Sequence, residues 1–175
     1  MHPNAPSPGP DRFQYTPTLS CVMPAYNEAD NLASVVPQVL QALQALGTPV
    51  EIVLVNDGSR DDTASVMREL CAAHPEVVAL NLSRNFGKES ALMAGIDAAR
   101  GEVVVLMDAD GQHPVALVAQ MLQHWRSGAD VVYAIRRTRD DQSALHAGLT
   151  RLFYRLVNLG NRVPIPAHAG DFRLM

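Results

Sequence analysis

The strongest constraint in this chain is an alternation that repeats from residue 18 to residue 135. Short apolar runs rich in Val, Ile and Leu take turns with segments whose apolar residues recur three and four apart. The first run is TLSCVMP (18–24). It is followed by EADNLASVVPQVLQALQALG (28–47), where Leu32, Val35, Val36, Val39, Leu40, Leu43 and Leu46 keep helical spacing. VEIVLVND (50–57), SRDDTASVMRELCAAH (59–74), EVVALNLS (76–83) and GKESALMAGIDAARG (87–101) continue the pattern. EVVVLMD (102–108), HPVALVAQMLQHWRSG (113–128) and ADVVYAI (129–135) complete it. Strands joined by helices of this length form βαβ units. The prediction is therefore an α/β domain with a Rossmann-like, mostly parallel sheet and helices on both faces. Pro37 predicts a kink or an early break in the first helix, and Gly47 its stop.

The flanks differ from this core. Residues 1–17 are rich in Pro, Ser and Gly and read as a disordered tail. They have no apolar stretch behind a basic start, so no signal peptide is expected, and no run of about 18 apolar residues predicts a bilayer span. Residues 18–175 read as one domain. Between 136 and 162 lie six arginines and two aspartates, a net +4; with −4 for the whole chain, the remainder carries −8. Within that stretch, residues 143–162 place Leu145, Leu149, Leu152, Phe153 and Leu156 on one helical face. Such a helix either packs on its own sheet or lies at an anionic membrane surface. The net negative charge gives no reason to expect a nucleic-acid partner. Cys21 and Cys71 make no disulfide framework and read as buried thiols in a reducing compartment.

Parallel sheets bind ligands at the carboxyl ends of their strands, so those ends are where chemistry is expected. In order they offer Pro24, Tyr26, Asn27 and Glu28; Asp57, Gly58 and Ser59; Arg84, Asn85 and Lys88; Asp108, Asp110 and Gln112; then Arg136 and Arg137. This set suits a nucleotide diphosphate held with a divalent cation. Asp108 and Asp110 lie two apart, so a tight turn through Ala109–Gly111 lets both face one ion, with Gln112 adding a carbonyl oxygen. Mg²⁺ or Mn²⁺ favours such oxygen ligands and would offset the repulsion between the carboxylates. Asp57 can accept from a base N–H, Tyr26 offers a face to the base, and Arg84 and Lys88 can meet phosphate. Each signal also has a plainer reading. An aspartate before glycine is an ordinary turn former, NDGS reads as a turn with an Asp helix cap, and Tyr26 can be packing. His74, His113 and His124 lack a second ligand at metal spacing. Joint occurrence at successive strand ends is what favours the ligand site. A phosphatase with an aspartyl nucleophile would want a downstream lysine, and none follows Lys88; a non-catalytic nucleotide-binding module stays open.

CVMPAYNEADNL, VLVNDGSRDDT, LNLSRNFGKESALMAGIDAARGEVVVLMDADGQHP and AGDFRLM resemble the family 2 glycosyltransferases of GT-A fold. Within these they resemble the branch that moves a sugar from a nucleotide donor to a polyprenyl phosphate; the likeness covers about residues 18–175. It implies an inverting, metal-dependent transfer from a UDP- or GDP-sugar to a lipid-carrier phosphate at the cytoplasmic face of the membrane. A family 2 enzyme acting on a saccharide acceptor is the alternative. It further implies that Pro24, Ala25, Tyr26 and Glu28, with Asp57, hold the nucleoside. Asp108, Asp110 and Gln112 would bind metal and diphosphate, and Arg136 and Arg173 would lie near donor or acceptor phosphate. Asp171 would act as base or acceptor-positioning group, so the catalytic candidates are Asp110 and Asp171. Arg84 and Lys88 match motif positions near the donor. Members of this branch usually continue past DFRLM with another strand, an amphipathic region and often membrane helices. The sequence thus reads as a C-terminally truncated domain whose acceptor half lies beyond Met175.

Overall fold

The computed structural model describes residues 17–110, 115–135 and 169–175. Its elements are β1 (Leu19–Ala25), α1 (Ala29–Gln44), β2 (Val50–Asn56), α2 (Thr63–Ala73), β3 (Val77–Asn81), α3 (Lys88–Ala98), β4 (Val103–Leu106), α4 (Ala116–Arg126), β5 (Val132–Ile135) and β6 (Ala169–Leu174). The sheet order is β3-β2-β1-β4-β6-β5. β1 pairs in parallel with β2 and β4, and β2 with β3, while β6 runs antiparallel to both β4 and β5. The expected mostly parallel α/β sheet is present. The AGDFRL stretch, to which the hydrophobic pattern assigns no element, forms β6 and separates β5 from β4. Its alternation rests on Phe172 and Leu174 alone, too short a period-two signal to stand out in sequence.

Each inner strand is apolar on both sides because both faces are covered. Cys21, Met23, Ile52, Leu54, Val103 and Val105 pack with Leu32, Val36 and Leu43 of α1, Met67 of α2, and Val118 and Leu122 of α4. The alternate residues Val22, Val53, Val55 and Leu106 pack with Ala91 and Leu92 of α3 on the opposite face. Gly95 sets how closely α3 approaches: a Cβ there would lie 2.3 Å from Cγ1 of Val22. At the edge away from the strand ends, buried Glu51 ties the layers together. Its Oε1 accepts from Ser20 Oγ (2.5 Å) and from the Arg100 backbone N–H (2.6 Å).

Two boundaries differ instructively from the sequence reading. Pro37 does not break α1, which continues to Gln44. The carbonyl that Pro37 leaves without an N–H partner belongs to Ala33, an exposed residue that water can reach. α2 begins at Thr63 rather than at Ser59. Asp61 Oδ1 accepts from the Thr63 backbone N–H (3.0 Å) and Thr63 Oγ1 (2.5 Å), so residues 59–62 form a turn ahead of the helix. The Thr63 hydroxyl bond is the main reason the Asp61 carboxyl is held below its usual value.

Cys21 is fully buried in β1, whereas Cys71 is only partly covered. Burial pushes the Cys21 thiol up to about 12, because desolvation disfavours the thiolate. A maleimide reagent at neutral pH is expected to leave Cys21 unmodified in the native protein and to modify it readily after denaturation. Mass spectrometry reads both states; labelling of native Cys21 at the denatured rate would contradict the burial.

Candidate functional site

The parallel strands β1, β2, β3 and β4 end on one edge, and the segments that leave them enclose a cleft of about 390 Å³. Its lining is Pro24, Ala25, Tyr26, Glu28, Asp57, Asn85, Gly87, Lys88, Asp108, Ala109 and Asp110. Thus Pro24, Ala25, Tyr26, Glu28, Asp57, Lys88, Asp108 and Asp110, all singled out from sequence, come together in space. Asn85 enters the sequence reading only as a strand-end residue and Ala109 only as part of a tight turn, and Gly87 is not singled out there.

The wall after β1 is fixed by the loop after β2. Asn27 takes φ 55°, a conformation asparagine tolerates better than most residues. Its backbone N–H donates to Ser59 Oγ (3.0 Å), and its Oδ1 accepts from the Arg60 backbone N–H (2.9 Å). The Glu28 backbone N–H donates to Thr63 Oγ1 (2.9 Å). These bonds hold Tyr26 outward, 41% exposed, at the cleft rim.

Asp57 fixes a second wall. Its side chain is buried, with Oδ1 accepting from the Phe86 backbone N–H (2.8 Å) and Oδ2 from that of Gly87 (2.9 Å). The plainer reading of NDGS, a turn with an Asp helix cap, names no helix; Asp57 holds the approach to α3. Because Lys88 is the first residue of α3, Asp57 also determines where that cation stands.

The third wall is the turn after β4. Ala109 is buried while its neighbours are not: Asp108 is partly exposed and Asp110 exposed. An apolar residue pinned to the core between two aspartates presents both carboxylates to the cleft. Lys88 Nζ lies 2.7 Å from Asp108 Oδ1. Two hard carboxylates fit Mg²⁺ or Mn²⁺, which commonly take one or two such ligands and complete their shell with phosphate oxygens and water. Among the described residues no group of three His, Cys, Asp or Glu side chains could hold a metal ion.

The remaining candidates stand apart. Arg84 is outside the cleft lining, its guanidinium over the Phe86 ring at 4.8 Å from the centroid. Arg173 lies in β6, paired with Leu106 and Tyr133, and its buried Nε has no hydrogen-bond partner among the described residues. Asp171 lies in β6 two residues before Arg173, where the pairing with β5 shifts register between Tyr133 and Ile135. Gln112, Arg136, Arg137 and the amphipathic segment 143–162 lie outside the described residues.

Fold and cleft together define a mostly parallel α/β domain whose strand ends gather carboxylates, an ammonium group and an aromatic side chain around one cleft. Comparison with known proteins makes the class specific: the chain belongs to glycosyl transferase family 2, whose family pattern matches residues 20–175. An uncharacterized glycosyltransferase of Synechocystis is 42% identical over 157 residues, covering 90% of this chain and 49% of that protein. The prophage bactoprenol glucosyl transferase homolog of Escherichia coli is 38% identical over 157 residues, covering 90% of this chain and 51% of that protein. The chain therefore spans about half the length of the curated relatives it matches. Among solved structures, a mannosyltransferase from Pyrobaculum calidifontis in complex with GDP-Man and Mn²⁺ superposes with a TM-score of 0.57 at 26% identity, covering 82% of this chain and 41% of that one. A mycobacterial protein superposes with a TM-score of 0.58 at 23% identity, covering 90% and 52%. The fold is the GT-A fold that the sequence resemblance implied.

Proposed function

We propose that this domain binds a nucleotide-diphosphate sugar in the cleft and transfers the sugar, with inversion, to a polyprenyl phosphate. The observation that carries the reading is the meeting of Asp108, Asp110 and Lys88 with Tyr26 and Glu28 in one cleft at the strand ends. The lipid acceptor draws support from the relatives named as bactoprenol glucosyl transferases, at 38% identity. A divalent cofactor draws support from the archaeal mannosyltransferase that holds GDP-Man and Mn²⁺.

In this reading Asp108 and Asp110 would hold Mg²⁺ or Mn²⁺, which supplies charge stabilisation for the departing diphosphate. Pro24, Ala25 and Tyr26 border the nucleoside, and Asp57 keeps Gly87 and Lys88 in place beside the diphosphate. The anomeric carbon–oxygen bond to the diphosphate breaks as an acceptor phosphate oxygen forms the new bond on the opposite face. The acceptor is a phosphate monoester with a second pKa of about 6, so it arrives largely ionised at neutral pH. It therefore needs little help from a general base. Asp171→Asn is expected to reduce transfer less than Asp110→Ala, measured in the complete enzyme with a lipid-phosphate acceptor; the reverse order would point to an alcohol acceptor instead.

Calorimetry with UDP, GDP, ADP and CDP, each with Mn²⁺ and with chelator, tests the donor half. The expected result is Mn²⁺-dependent binding of UDP or GDP. Binding of neither, or binding indifferent to chelator, would sink the reading.

A further inference from the structure

Lys88 is the only lysine in the chain; the other thirteen basic residues counted with it are arginines. That single ammonium group stands in the cleft, 2.7 Å from Asp108 Oδ1, at the place where a divalent cation would also find its ligand. We propose that Lys88 is an exchangeable counter-ion: it pairs with Asp108, yields that carboxylate to the metal, and passes to the donor diphosphate, so that metal and nucleotide bind as a coupled pair. The proposal rests on the sugar-nucleotide reading above.

Competition for one carboxylate produces the coupling. A divalent ion that takes Asp108 must displace Lys88 from its 2.7 Å contact and stand beside an ammonium, which opposes binding of metal alone. A diphosphate arriving with the metal offers Lys88 a new anionic partner and removes that opposition. Lysine suits this exchange better than arginine: its compact charge rides on a flexible stem, whereas a guanidinium would lock two-pronged onto the carboxylate. The anchoring is one-sided as well. Asp57 holds the two backbone N–H groups just before Lys88, so the start of α3 is fixed. The side chain itself is 39% exposed. The ion pair thus stands on a fixed base at the start of α3.

Calorimetry with Mn²⁺ as the metal probe, first without nucleotide and then with UDP and GDP, separates the two halves. Lys88→Met is expected to bind Mn²⁺ alone about tenfold more tightly than wild type. It should bind the nucleotide at saturating Mn²⁺ about tenfold more weakly. Lys88→Arg is expected to keep the weak metal binding of wild type. Unchanged or weaker Mn²⁺ affinity in Lys88→Met overturns the exchange. If wild type binds Mn²⁺ but neither UDP nor GDP, the sugar-nucleotide reading falls, and the nucleotide-free titrations still decide whether Lys88 competes with metal. Amine acetylation of the wild-type protein gives an independent readout, since Lys88 is the only side-chain amine. Mass spectrometry should show faster acetylation of Lys88 with Mn²⁺ alone and protection with Mn²⁺ plus UDP or GDP. A rate indifferent to Mn²⁺ overturns the proposal without any variant.

Discussion

Gly58→Ala is expected to destabilise the domain by about 2–4 kcal/mol and to abolish nucleotide binding together with the fold of the cleft wall. Gly58 sits at φ +65°, where an L side chain costs roughly 1–2 kcal/mol. The larger cost comes from crowding. A Cβ at this position would lie 2.3 Å from the carbonyl carbon of Arg84 and 2.5 Å from the backbone nitrogen of Asn85. These are main-chain atoms, so no rotamer change relieves the clash; the segment from Arg84 to Gly87 must move. That segment carries Asn85 and Gly87 into the cleft and receives the Asp57 hydrogen bonds. Gly47 provides the control. Its φ is +67°, nearly the same, but a Cβ there would meet nothing within 4 Å. Gly47→Ala should therefore cost only the conformational part, about 1 kcal/mol. Urea unfolding of the two variants isolates the crowding; equal losses would show that the contact between the β2 and β3 loops contributes nothing.

The sequence reveals such features unevenly. Element order was legible because buried parallel strands and amphipathic helices differ in hydrophobic period over many residues, as in Val50–Asn56 against Ala29–Gln44. Strand ends were legible for the same reason: once β4 is recognised, Asp108 must follow it. β6 escaped because two alternating apolar residues, Phe172 and Leu174, make no pattern by themselves, and its position between β4 and β5 depends on pairing across distant sequence. Lys88 and Asp57 show a subtler limit. Both are named from sequence, Lys88 toward phosphate and Asp57 toward a base, but without their partners in the fold. Their partners, Asp108 and the backbone of Phe86 and Gly87, are 20 and about 30 residues away. No local periodicity reports such a contact. Gly87 and Ala109 matter through backbone conformation and burial, which composition does not encode. The pairing of Asp108 with Lys88 became visible only when the strand ends were brought together.

Asp57→Ala and Asp108→Ala should separate stability from function. Both residues line the same cleft, yet Asp57 is 3% exposed and the Asp108 side chain 28%. Asp57 accepts two backbone N–H groups with a buried carboxylate. Removing it loses two charge-assisted bonds and strands two donors, which is expected to cost about 3 kcal/mol or more. Asp57→Asn keeps one acceptor but sets its amide N–H against a backbone N–H, so it should recover only part of the loss. Asp108→Ala removes a half-exposed ion pair with Lys88, and such pairs contribute about 0.2–1 kcal/mol. Its unfolding midpoint should stay close to wild type. Function should follow the opposite order of cause: under the proposed function, Asp108→Ala is expected to reduce transfer by the complete enzyme about 10²–10³-fold while the domain stays folded, because Asp108 would be part of the charge site at the leaving group. Asp57→Ala should lose activity in proportion to unfolding, and its residual folded fraction should still bind Mn²⁺ through Asp108 and Asp110. Urea unfolding, nucleotide-free Mn²⁺ calorimetry and transfer assays on the two variants check this together. A strongly destabilised Asp108→Ala, or a fully stable Asp57→Ala, would reverse the assignment of which carboxylate builds the cleft and which works in it.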